Sequence, residues 1–337
     1  MIFDINGNEK NQVFGLLGES LTQAYDIYGN ELIEESDYSI DNVISYYQQP
    51  TLDMVEVINA QSSDTVSFVV ITDSHGSVNR QHSQAIATYL VKHSKANKLF
   101  HLGDVSGNNW SETEYKTYFT PLVENCLSRM YFTLGNHEWF GDVTHASHTV
   151  IYNDILSSKK NLHGNPERFY YYFDDASNKI RYVVINTSEN SANSFSTTQA
   201  TWLSESLVLP SNDWKAIVLG HIDIMPNDPI TSKWESNQAR RITDAIKSTQ
   251  NTVIGYFCGH EHFDRIVKIE DSFYQINMLN DSCSQDTSFT EITNPTRKAN
   301  TVSEQSVSIV SINLTTGDVV IRKIGASNGN MEYNYYV

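Results

Sequence analysis

The fold is indicated first by the stretch VSFVVITDSHG (66–76), in which an apolar run of strand length ends in a short polar motif. A continuous apolar run of this length is typical of a strand that is buried on both faces of a sheet. Apolar residues at helical spacing follow within 79–96, and KLFHL (98–102) again has the character of a strand. The chain therefore begins an alternation of strand and helix at this point.

The same alternation continues toward the C-terminus. Further strands are predicted at 129–134, 169–173, 180–186, 215–220 and 252–259, and helices at 111–127 and around Trp202 and Leu203. Ser111, followed three residues later by Glu114, is typical of a capped helix start. The segment 307–324 predicts a hairpin across Thr316 and Gly317. Strand–helix alternation that ends in antiparallel strands favours mixed β-sheets covered by helices.

Five of the predicted strands end in polar motifs of one kind. They are Thr72-Asp73-Ser74-His75-Gly76, Gly103-Asp104, Gly135-Asn136-His137-Glu138, Gly220-His221 and Gly259-His260-Glu261-His262. In α/β sheets, ligands gather outside the carboxyl ends of strands, so these side chains are expected to converge although they lie far apart in sequence. One such motif alone is typical of a turn. Five of them in order indicate a functional site.

The residue types and their spacing indicate metal ligation. In extended backbone, residues two apart point to the same side, so we expect Asp73 and His75 to reach one ion together, and likewise His260 and His262. The glycine that precedes each of the last four motifs is expected to permit tight turns and close approach of the backbone. Carboxylate, imidazole and amide oxygen ligands favour Mn, Fe, Zn or Co over copper or an iron–sulfur cluster.

This series resembles the motifs of the calcineurin-like, binuclear metallophosphoesterases, which carry D-x-H, G-D, G-N-H-[DE], H and G-H-x-H in this order. The resemblance covers roughly residues 66–324. It implies an α/β (α+β) fold, a four-layer αββα sandwich of two mixed β-sheets flanked by helices. It also implies two metal ions. One would be held by Asp73, His75 and His262, the second by Asn136, His221 and His260, and Asp104 would bridge them.

One more histidine, His137, directly follows the candidate ligand Asn136. The resemblance places it at the position of a histidine that assists the leaving group. Two ions ~3.5–4 Å apart polarise a phosphoryl group and lower the pKa of a bound water toward ~7, which provides hydroxide for in-line attack. His137 would then donate a proton to the departing oxygen. In the alternative, His137 orients Asn136 or a bound water through a hydrogen bond.

The residues after Asp104 bear on the substrate. Protein Ser/Thr phosphatases of this superfamily carry an Arg soon after this Asp, and purple acid phosphatases carry a ligand Tyr three residues after it. Here the segment is GDVSGNN (103–109), with Gly107 in the tyrosine position. Without an Arg clamp, a doubly charged monoester loses bidentate contacts, so a phosphodiester is favoured. Trp139 and His145 are expected to shape the substrate pocket.

Two alternatives to a phosphodiesterase stay open. One is a phosphomonoesterase or protein phosphatase of the same superfamily. The other is a non-catalytic structural or adhesion protein whose metal site binds phosphate groups of a partner. Nucleic acid is not an expected partner, because Lys and Arg total 23 against 40 Asp and Glu, a net charge of −17. Bound cations would still make the site locally positive.

Targeting signals and cysteines add little. The N-terminus has neither a basic start nor an apolar run, so no signal peptide is expected. No stretch approaches the ~18 apolar residues of a membrane-spanning helix. The three cysteines, Cys126, Cys258 and Cys283, fit no disulfide framework and no zinc spacing, and a buried free thiol is expected at Cys258.

The N-terminal segment carries an imperfect repeat. FDINGNE (3–9) recurs as YDIYGNE (25–31), and each copy predicts a small β-hairpin-like unit. We therefore divide the chain into an attachment segment (1–45), a metallophosphoesterase domain (46–325) and a C-terminal tail (326–337). The repeat resembles segments of phage tail proteins, which implies a virion location, a structural partner chain and a cell-surface polymer such as teichoic acid as substrate. A cytoplasmic enzyme acting on a small-molecule phosphodiester is the alternative.

Overall fold

Strands and helices alternate along the chain in the order expected from the sequence. The computed structural model describes residues 38–75, 79–107, 109–140, 142, 146–225, 236–249, 252–281 and 294–336, and four short strands before them. The helices are α1 Ser45–Asn59, α2 Gln81–His93, α3 Glu112–Tyr118, α4 Thr120–Cys126, α5 Ala146–Ile151, α6 Thr197–Ser206 and α7 Ser236–Ser248. Short 3-10 helices span Ile40–Asn42, Leu127–Arg129 and Pro166–Arg168, and a π-helix spans Tyr152–Leu156.

The strands form two large sheets and two short pairs. Their bounds are β1 Ile2–Phe3, β2 Glu9–Lys10, β3 Ala24–Tyr25, β4 Glu31–Leu32, β5 Thr65–Ile71, β6 Leu99–His101, β7 Met130–Phe132, β8 His163–Asn165, β9 Tyr170–Asp175, β10 Ile180–Val184, β11 Lys215–Leu219, β12 Thr252–Cys258, β13 Arg265–Ile269, β14 Phe273–Asn277, β15 Ser306–Asn313, β16 Asp318–Gly325 and β17 Met331–Asn334.

The first large sheet has six strands in the order β17-β16-β15-β5-β6-β7. Strands β5, β6 and β7 are parallel, with Val69 opposite Leu99 and Leu99 opposite Met130. On the other side of β5, strands β15, β16 and β17 continue the sheet as antiparallel strands. The carboxyl ends of β5, β6 and β7 therefore lie side by side.

The second large sheet has seven strands in the order β13-β14-β12-β11-β10-β9-β8. Its centre is parallel, because β10 pairs with β11, β11 with β12, and β12 with β14 in the same direction. Strands β13, β9 and β8 add antiparallel pairs at the two sides. The carboxyl ends of β11 and β12 are therefore neighbours, as in the first sheet.

Aromatic side chains fill the space between the two sheets. Phe68 of β5 contacts the rings of Tyr182 in β10 and Phe257 in β12, with centroids 6.0 and 5.8 Å apart. Phe173 of β9 stacks on Tyr131 of β7 at 4.0 Å. Full burial of a large apolar side chain contributes roughly 1.5–3 kcal/mol. This packing holds the strand ends of one sheet at a set position against those of the other.

Helices cover the outer faces of both sheets. Helix α1 contacts β16, and α2 contacts β5 and β15. In the second sheet, Tyr182 and Val184 of β10 face the first sheet, whereas Val183 packs into a separate apolar cluster with residues of α6 and α7. The predicted four-layer αββα arrangement of two mixed sheets is confirmed.

The segment 111–127 differs from the single helix that the sequence predicted. It forms two helices, α3 and α4, with a break at Phe119. Pro121 lies in the first turn of α4 and has no N–H to donate to the preceding turn, so a continuous helix would lose that hydrogen bond. The predicted cap is present, since Ser111 Oγ accepts the N–H of Glu114 at 3.2 Å.

The chain ends also contribute strands. In the two N-terminal units, Phe3 lies opposite Glu9 and Tyr25 opposite Glu31 in antiparallel pairs, in line with the predicted hairpin-like units, although the residues between the paired strands lie outside those described. Strand β17, in the segment treated as a tail, pairs with β16. The three domain boundaries stay predictions.

Two further observations concern the described part of the chain. Cys126 and Cys258 are buried and form no disulfide among the described residues, as expected for Cys258, and Cys283 lies outside them. Among the helices that the structure describes, none has the length and apolar character needed to cross a membrane.

Candidate metal centre

The candidate ligands lie where the carboxyl ends of five strands come together. The loops after β5 and β6 are joined by backbone hydrogen bonds, the first from Asp73 N to Gly103 O at 3.0 Å. The second runs from His75 N to Asp104 O at the same distance. In the other sheet, the loop after β12 donates to the carbonyl of His221 at 2.9 Å. These bonds extend the strand pairing into the polar motifs.

The backbone at the ligands differs from the extended form that the sequence predicted. Positive φ angles, from 43° to 69°, are found at Asp73, His75, Asp104, His260 and His262. Residues other than glycine seldom adopt this left-handed conformation, which costs energy and persists where the surroundings enforce it. The sequence predicted that Asp73 and His75 reach one ion because extended backbone places them on the same side. That reason is wrong. A turned backbone, not an extended one, brings these side chains together.

Glycine is required at two of the turns. Gly103 has a φ of +100°, and a Cβ there would overlap the backbone of Gly135. A Cβ at Gly135 would in turn overlap the carboxylate of Asp104. The close approach of the backbone that the sequence predicted is confirmed at these two strand ends.

One group of possible ligand atoms is formed by Asp73, His75 and His262. His75 Nε2 lies 3.8 Å from Asp73 Oδ1, and His262 Nε2 lies 3.3 Å from the same oxygen. The two imidazole nitrogens are 2.9 Å apart. The longest of these three separations is 3.8 Å, so a single ion with bonds of about 2 Å can reach all three atoms.

A second group is formed by Asp104, His221 and His260, again within 4.8 Å of one another. His221 Nε2 lies 3.1 Å from Asp104 Oδ2 and 3.0 Å from Asn136 Oδ1. Asp104 Oδ2 is also 4.0 Å from His75 Nε2 of the first group. The structure therefore brings together all seven side chains proposed as ligands, with Asp104 between the two groups.

Buried charges determine the electrostatics of the two groups. Burial by itself raises the pKa of Asp73 and of Asp104, but the neighbouring histidines, His221 foremost, outweigh it and hold both pKa values below the ordinary range. Burial likewise lowers the pKa of His221, but the negative charge of Asp104 dominates and raises that pKa to about 10. The arrangement thus stabilises a positive charge among these side chains, whether a proton or a metal ion.

The donor set fits a metal ion. His221 Nδ1 lies 2.7 Å from the carbonyl oxygen of Leu102, which places the hydrogen on Nδ1 and leaves Nε2 facing the oxygens of Asp104 and Asn136. In the neutral ring the Nε2 lone pair beside two oxygen acceptors is repulsive, and either a proton or a metal ion at this nitrogen removes the repulsion. Imidazole nitrogens together with carboxylate and amide oxygens suit Zn, Fe, Mn or Co.

Glu138, at the end of the third motif, joins two strand ends. Its buried carboxylate accepts the backbone N–H groups of Gly135 at 2.7 Å, Asp104 at 3.0 Å and Val105 at 2.9 Å. Burial, and then the charge of Asp104, raise the pKa of Glu138 above its ordinary value, while the N–H bonds act in the opposite direction. No role was assigned to Glu138 from the sequence. Its acidic type in a polar motif was the signal, but its backbone partners appear only in the fold.

His137 lies at the edge of the cluster. Its Nε2 is 3.9 Å from Asp104 Oδ2, its ring is edge-on to that of His75 at 4.6 Å, and its side chain is 21% exposed. Its Nδ1 hydrogen-bonds the carbonyl of Gly107. One ring nitrogen is thus held by the backbone, and Nε2 can carry a proton beside the cluster. Atoms of His75, Asp104 and His137 also lie within 4.8 Å of one another, so distance alone admits His137 as a ligand too.

An exposed aromatic ring lies next to His137. Phe140 is 41% exposed, and its ring centroid is 5.0 Å from that of His137. The carbonyl of Phe140 accepts the N–H of Trp110 at 2.7 Å, which holds this turn in place. Trp139, predicted to shape the pocket, hydrogen-bonds a backbone carbonyl through Nε1. Phe140 was not predicted, and His145, the other expected pocket residue, lies outside the described residues.

A guanidinium approaches the cluster but is already engaged. Arg80 Nη1 hydrogen-bonds the carbonyl of His75 and pairs with Glu114 at 2.7 Å. The Tyr118 ring covers the guanidinium at 4.1 Å, and the Arg80 side chain is only 4% exposed. Its charge is therefore neutralised inside the protein and is not presented to a substrate phosphate.

Comparisons with known proteins agree with this geometry. The family model described as calcineurin-like phosphoesterase matches residues 66–264, more than half of the chain. The chain is similar to a dimetal phosphatase from Danio rerio, with a TM-score of 0.57 and 13% identity over 80% of this chain and 99% of that one. It is also similar to purple acid phosphatase PPD1 from yellow lupin (Lupinus luteus), with a TM-score of 0.55 and 13% identity over 81% of this chain and 53% of that one. A comparison with curated proteins found no match.

The two structural likenesses, at 13% identity, show the fold alone. The family rests on the matched residues 66–264, which contain every candidate ligand and His137. The clustered aspartates and histidines suggest two divalent metal ions. The chain therefore belongs to the calcineurin-like phosphoesterase family and is a phosphoric ester hydrolase.

Proposed function

We propose that this chain is a phosphodiesterase that depends on two divalent metal ions and uses His137 as its general acid. The observation that carries the proposal is the position of His137. Its ring lies beside both groups of ligand atoms, with Nδ1 held by a backbone carbonyl and a partly exposed edge. A role in binding alone would not require a proton donor at this place.

The ions would be held in the arrangement that the two groups suggest. Asp73, His75 and His262 would bind one ion, and Asn136, His221 and His260 the other, with Asp104 shared. When bound, two such ions polarise phosphoryl oxygens and lower the pKa of nearby water. The ligand side chains orient the ions, and the glycine turns bring the backbone close enough for them to do so.

His137 supplies the proton that the leaving group needs. With Nδ1 donating to the carbonyl of Gly107, the transferable hydrogen is on Nε2, which lies 3.9 Å from Asp104 Oδ2 at the edge of the cluster. An alkoxide is a poor leaving group, and protonation in the transition state typically contributes about 100- to 10,000-fold. The step therefore matters most for esters of ordinary alcohols.

A diester is favoured over a monoester by the charges around the site. A dianionic monoester gains most from a bidentate guanidinium. Arg80 is paired with Glu114 and buried, so it does not offer such a contact. The exposed ring of Phe140 beside His137 would instead contact an organic group on the leaving alcohol. A glycerol- or sugar-phosphate polymer as substrate and a phage-tail location rest on the N-terminal repeat and stay predictions.

The test compares diesters with monoesters. Purified protein with Mn²⁺ is assayed on bis(p-nitrophenyl) phosphate and on p-nitrophenyl phosphate, and we expect kcat/KM to favour the diester by about tenfold or more, or about 1.4 kcal/mol. A preference for the monoester would overturn the diester proposal. If the protein holds both ions and hydrolyses neither ester, the phosphodiesterase proposal fails altogether.

A second assay tests His137 itself. His137→Ala should lower kcat by about 100- to 10,000-fold on a diester with an alkyl leaving group, and far less with p-nitrophenolate, which needs little protonation. Metal content should not change. His163→Ala is the matched control, because His163 lies in an exposed strand and stacks on Tyr172 away from the ligands. Loss of metal from His137→Ala would show that His137 is a ligand instead of the acid.

A further inference from the structure

A chain of buried hydrogen bonds runs beneath the candidate ligands. Ser74, which lies between Asp73 and His75, is fully buried, as are His101 of β6 and Asp281 after β14. Ser74 Oγ lies 3.1 Å from His101 Nε2 and 2.9 Å from Asp281 Oδ2. None of these three residues belongs to the proposed donor set, so their hydrogen bonds require a separate explanation.

The direction of the donors follows from the geometry. The backbone N–H of Gly103 donates to His101 Nδ1 at 3.2 Å, so the ring hydrogen must be on Nε2. His101 Nε2 therefore donates to Ser74 Oγ, and the one hydroxyl hydrogen of Ser74 is left to donate to Asp281 Oδ2. All donors point the same way, and hydrogen bonds in such a chain strengthen one another.

Asp281 is itself held on two further sides. Its backbone N–H donates to Thr72 O at 2.8 Å. Its Oδ2 also lies 3.0 Å from Ser83 Oγ of helix α2, whose one hydroxyl hydrogen can be donated either to Asp281 or to the carbonyl of Arg80 at 2.8 Å. At Asp281, this series of hydrogen bonds is therefore anchored to β5 and to α2. At its other end, Gly103 adjoins the candidate bridging residue Asp104.

The series of hydrogen bonds meets the metal centre at Ser74, where the backbone on both sides is strained. Asp73 and His75 have φ angles of 54° and 43°, and Ser74 is the residue between them. A strained backbone of this kind persists only where its surroundings over-determine it. The bonds of the Ser74 side chain provide such a constraint, because they tie the loop after β5 both to β6 and to Asp281.

We propose that Asp281 and His101 are positioning residues of the metal centre, which act through Ser74 to hold Asp73 and His75 at the spacing that binds one ion. The inference rests on the proposed metal-dependent function. Removing a hydrogen-bond partner that orients a metal ligand typically lowers metal affinity by about 10- to 100-fold. The loss should be largest for the ion bound by Asp73, His75 and His262.

The experiment is a calorimetric titration of metal-free protein with Mn²⁺. Asp281→Ala and Ser74→Ala should each weaken one of the two binding steps by about 10- to 100-fold and leave the other nearly unchanged. The double variant should lose little more than the single ones, because both remove the same chain. Melting temperature is measured for each variant to establish that it folds.

Two further variants separate positioning from general damage. Ser83→Ala removes one contact of Asp281 but leaves its bonds to Ser74 Oγ and Thr72 O, so its loss of Mn²⁺ affinity should be clearly smaller than that of Asp281→Ala. Asp281→Asn should bind Mn²⁺ as the original does, because its amide oxygen can accept from Ser74. Its NH2 group would take the place of Oδ1, which has no hydrogen-bond partner among the described residues.

Three results would overturn the inference. They are unchanged Mn²⁺ affinity in a folded Asp281→Ala variant, equal losses in Ser83→Ala and Asp281→Ala, and no recovery in Asp281→Asn. Failure of the proposed function has a different signature. In that case the unaltered protein binds both ions but turns over no phosphate ester, whatever the affinity pattern of the variants.

Discussion

Replacing Glu138 by alanine is expected to destabilise the fold and weaken the metal centre together. The side chain is fully buried, and its Oε2 accepts the N–H groups of Gly135 and Asp104 at 2.7 and 3.0 Å. Its Oε1 accepts the N–H of Val105 at 2.9 Å. One carboxylate thus satisfies three backbone donors from the loops after β6 and β7.

The magnitude follows from these three bonds. A buried donor left without an acceptor costs about 1–3 kcal/mol, so three of them cost about 3–9 kcal/mol. Water entering the space left by the side chain would recover part of this cost. We therefore expect Glu138→Ala to lower the free energy of unfolding by about 3–5 kcal/mol, a large share of the 5–15 kcal/mol typical of folded domains.

The free energy of unfolding of the Glu138→Gln variant should lie between those of Glu138→Ala and the original protein. Its single oxygen can accept from Gly135 and Asp104, but its NH2 group would then face the N–H of Val105. One unpaired donor predicts a loss of about 1–3 kcal/mol. Because Asp104 lies between the two groups of ligands, Mn²⁺ affinity should also fall, moderately in Glu138→Gln and further in Glu138→Ala.

Urea unfolding followed by tryptophan fluorescence, with and without Mn²⁺, measures these differences. Glu112→Ala is the matched control, because Glu112 is 46% exposed and pairs across a turn of α3 with Lys116, a type of pair worth at most about 0.5 kcal/mol. A Glu138→Ala protein within about 1 kcal/mol of the original would refute the reasoning, since three donors without an acceptor cost about 3 kcal/mol even at the lower bound.

Three other predictions concern binding, metal and pH. Phe140→Ala should raise KM for bis(p-nitrophenyl) phosphate about five- to tenfold with kcat unchanged, since burial of about 50 Å² of ring contributes about 1 kcal/mol of uniform binding; an unchanged KM would mean that the ring does not contact the ester. Chelation should lower the melting temperature and Mn²⁺ should restore it, because an ion at 100 times its Kd stabilises the fold by about 2.7 kcal/mol; equal melting temperatures would count against a structural metal site. For Asp175, burial acts to raise the pKa, but Lys98 at 2.9 Å, together with hydrogen bonds from Ser177 and Asn178, outweighs it and lowers the pKa to about 2. A carboxyl group whose pKa is lowered in the fold adds stability at pH values above its ordinary pKa, and this contribution is lost on acidification. Asp175→Asn should therefore lower the free energy of unfolding by about 2 kcal/mol at pH 7 and by almost nothing near pH 2. A pH-independent difference in urea midpoints would contradict this.

The layers of the fold and the place of the site could be predicted because both depend on residues that are adjacent in sequence. Apolar runs such as 66–71 become strands, and the polar residues that directly follow them must lie at strand ends. Parallel strands bring those ends together, so the meeting of Asp73, Asp104 and Asn136 follows from order along the chain. The break at Phe119 was not predicted, although Pro121, in the first turn of α4, has no N–H for a helical hydrogen bond.

The geometry of the site was decided by tertiary structure. The sequence alone established the family motifs, the αββα layers and which side chains gather at the strand ends, because each of these depends on neighbours along the chain. The left-handed backbone at Asp73 and His75 does not, since partners distant in sequence enforce it. Ser74 meets Asp281 across 207 residues, and the three donors to Glu138 come from two different loops. The first pairing exists only once the two sheets have packed, and the second only once β6 and β7 have paired, because tertiary contacts and not spacing along the chain set these distances.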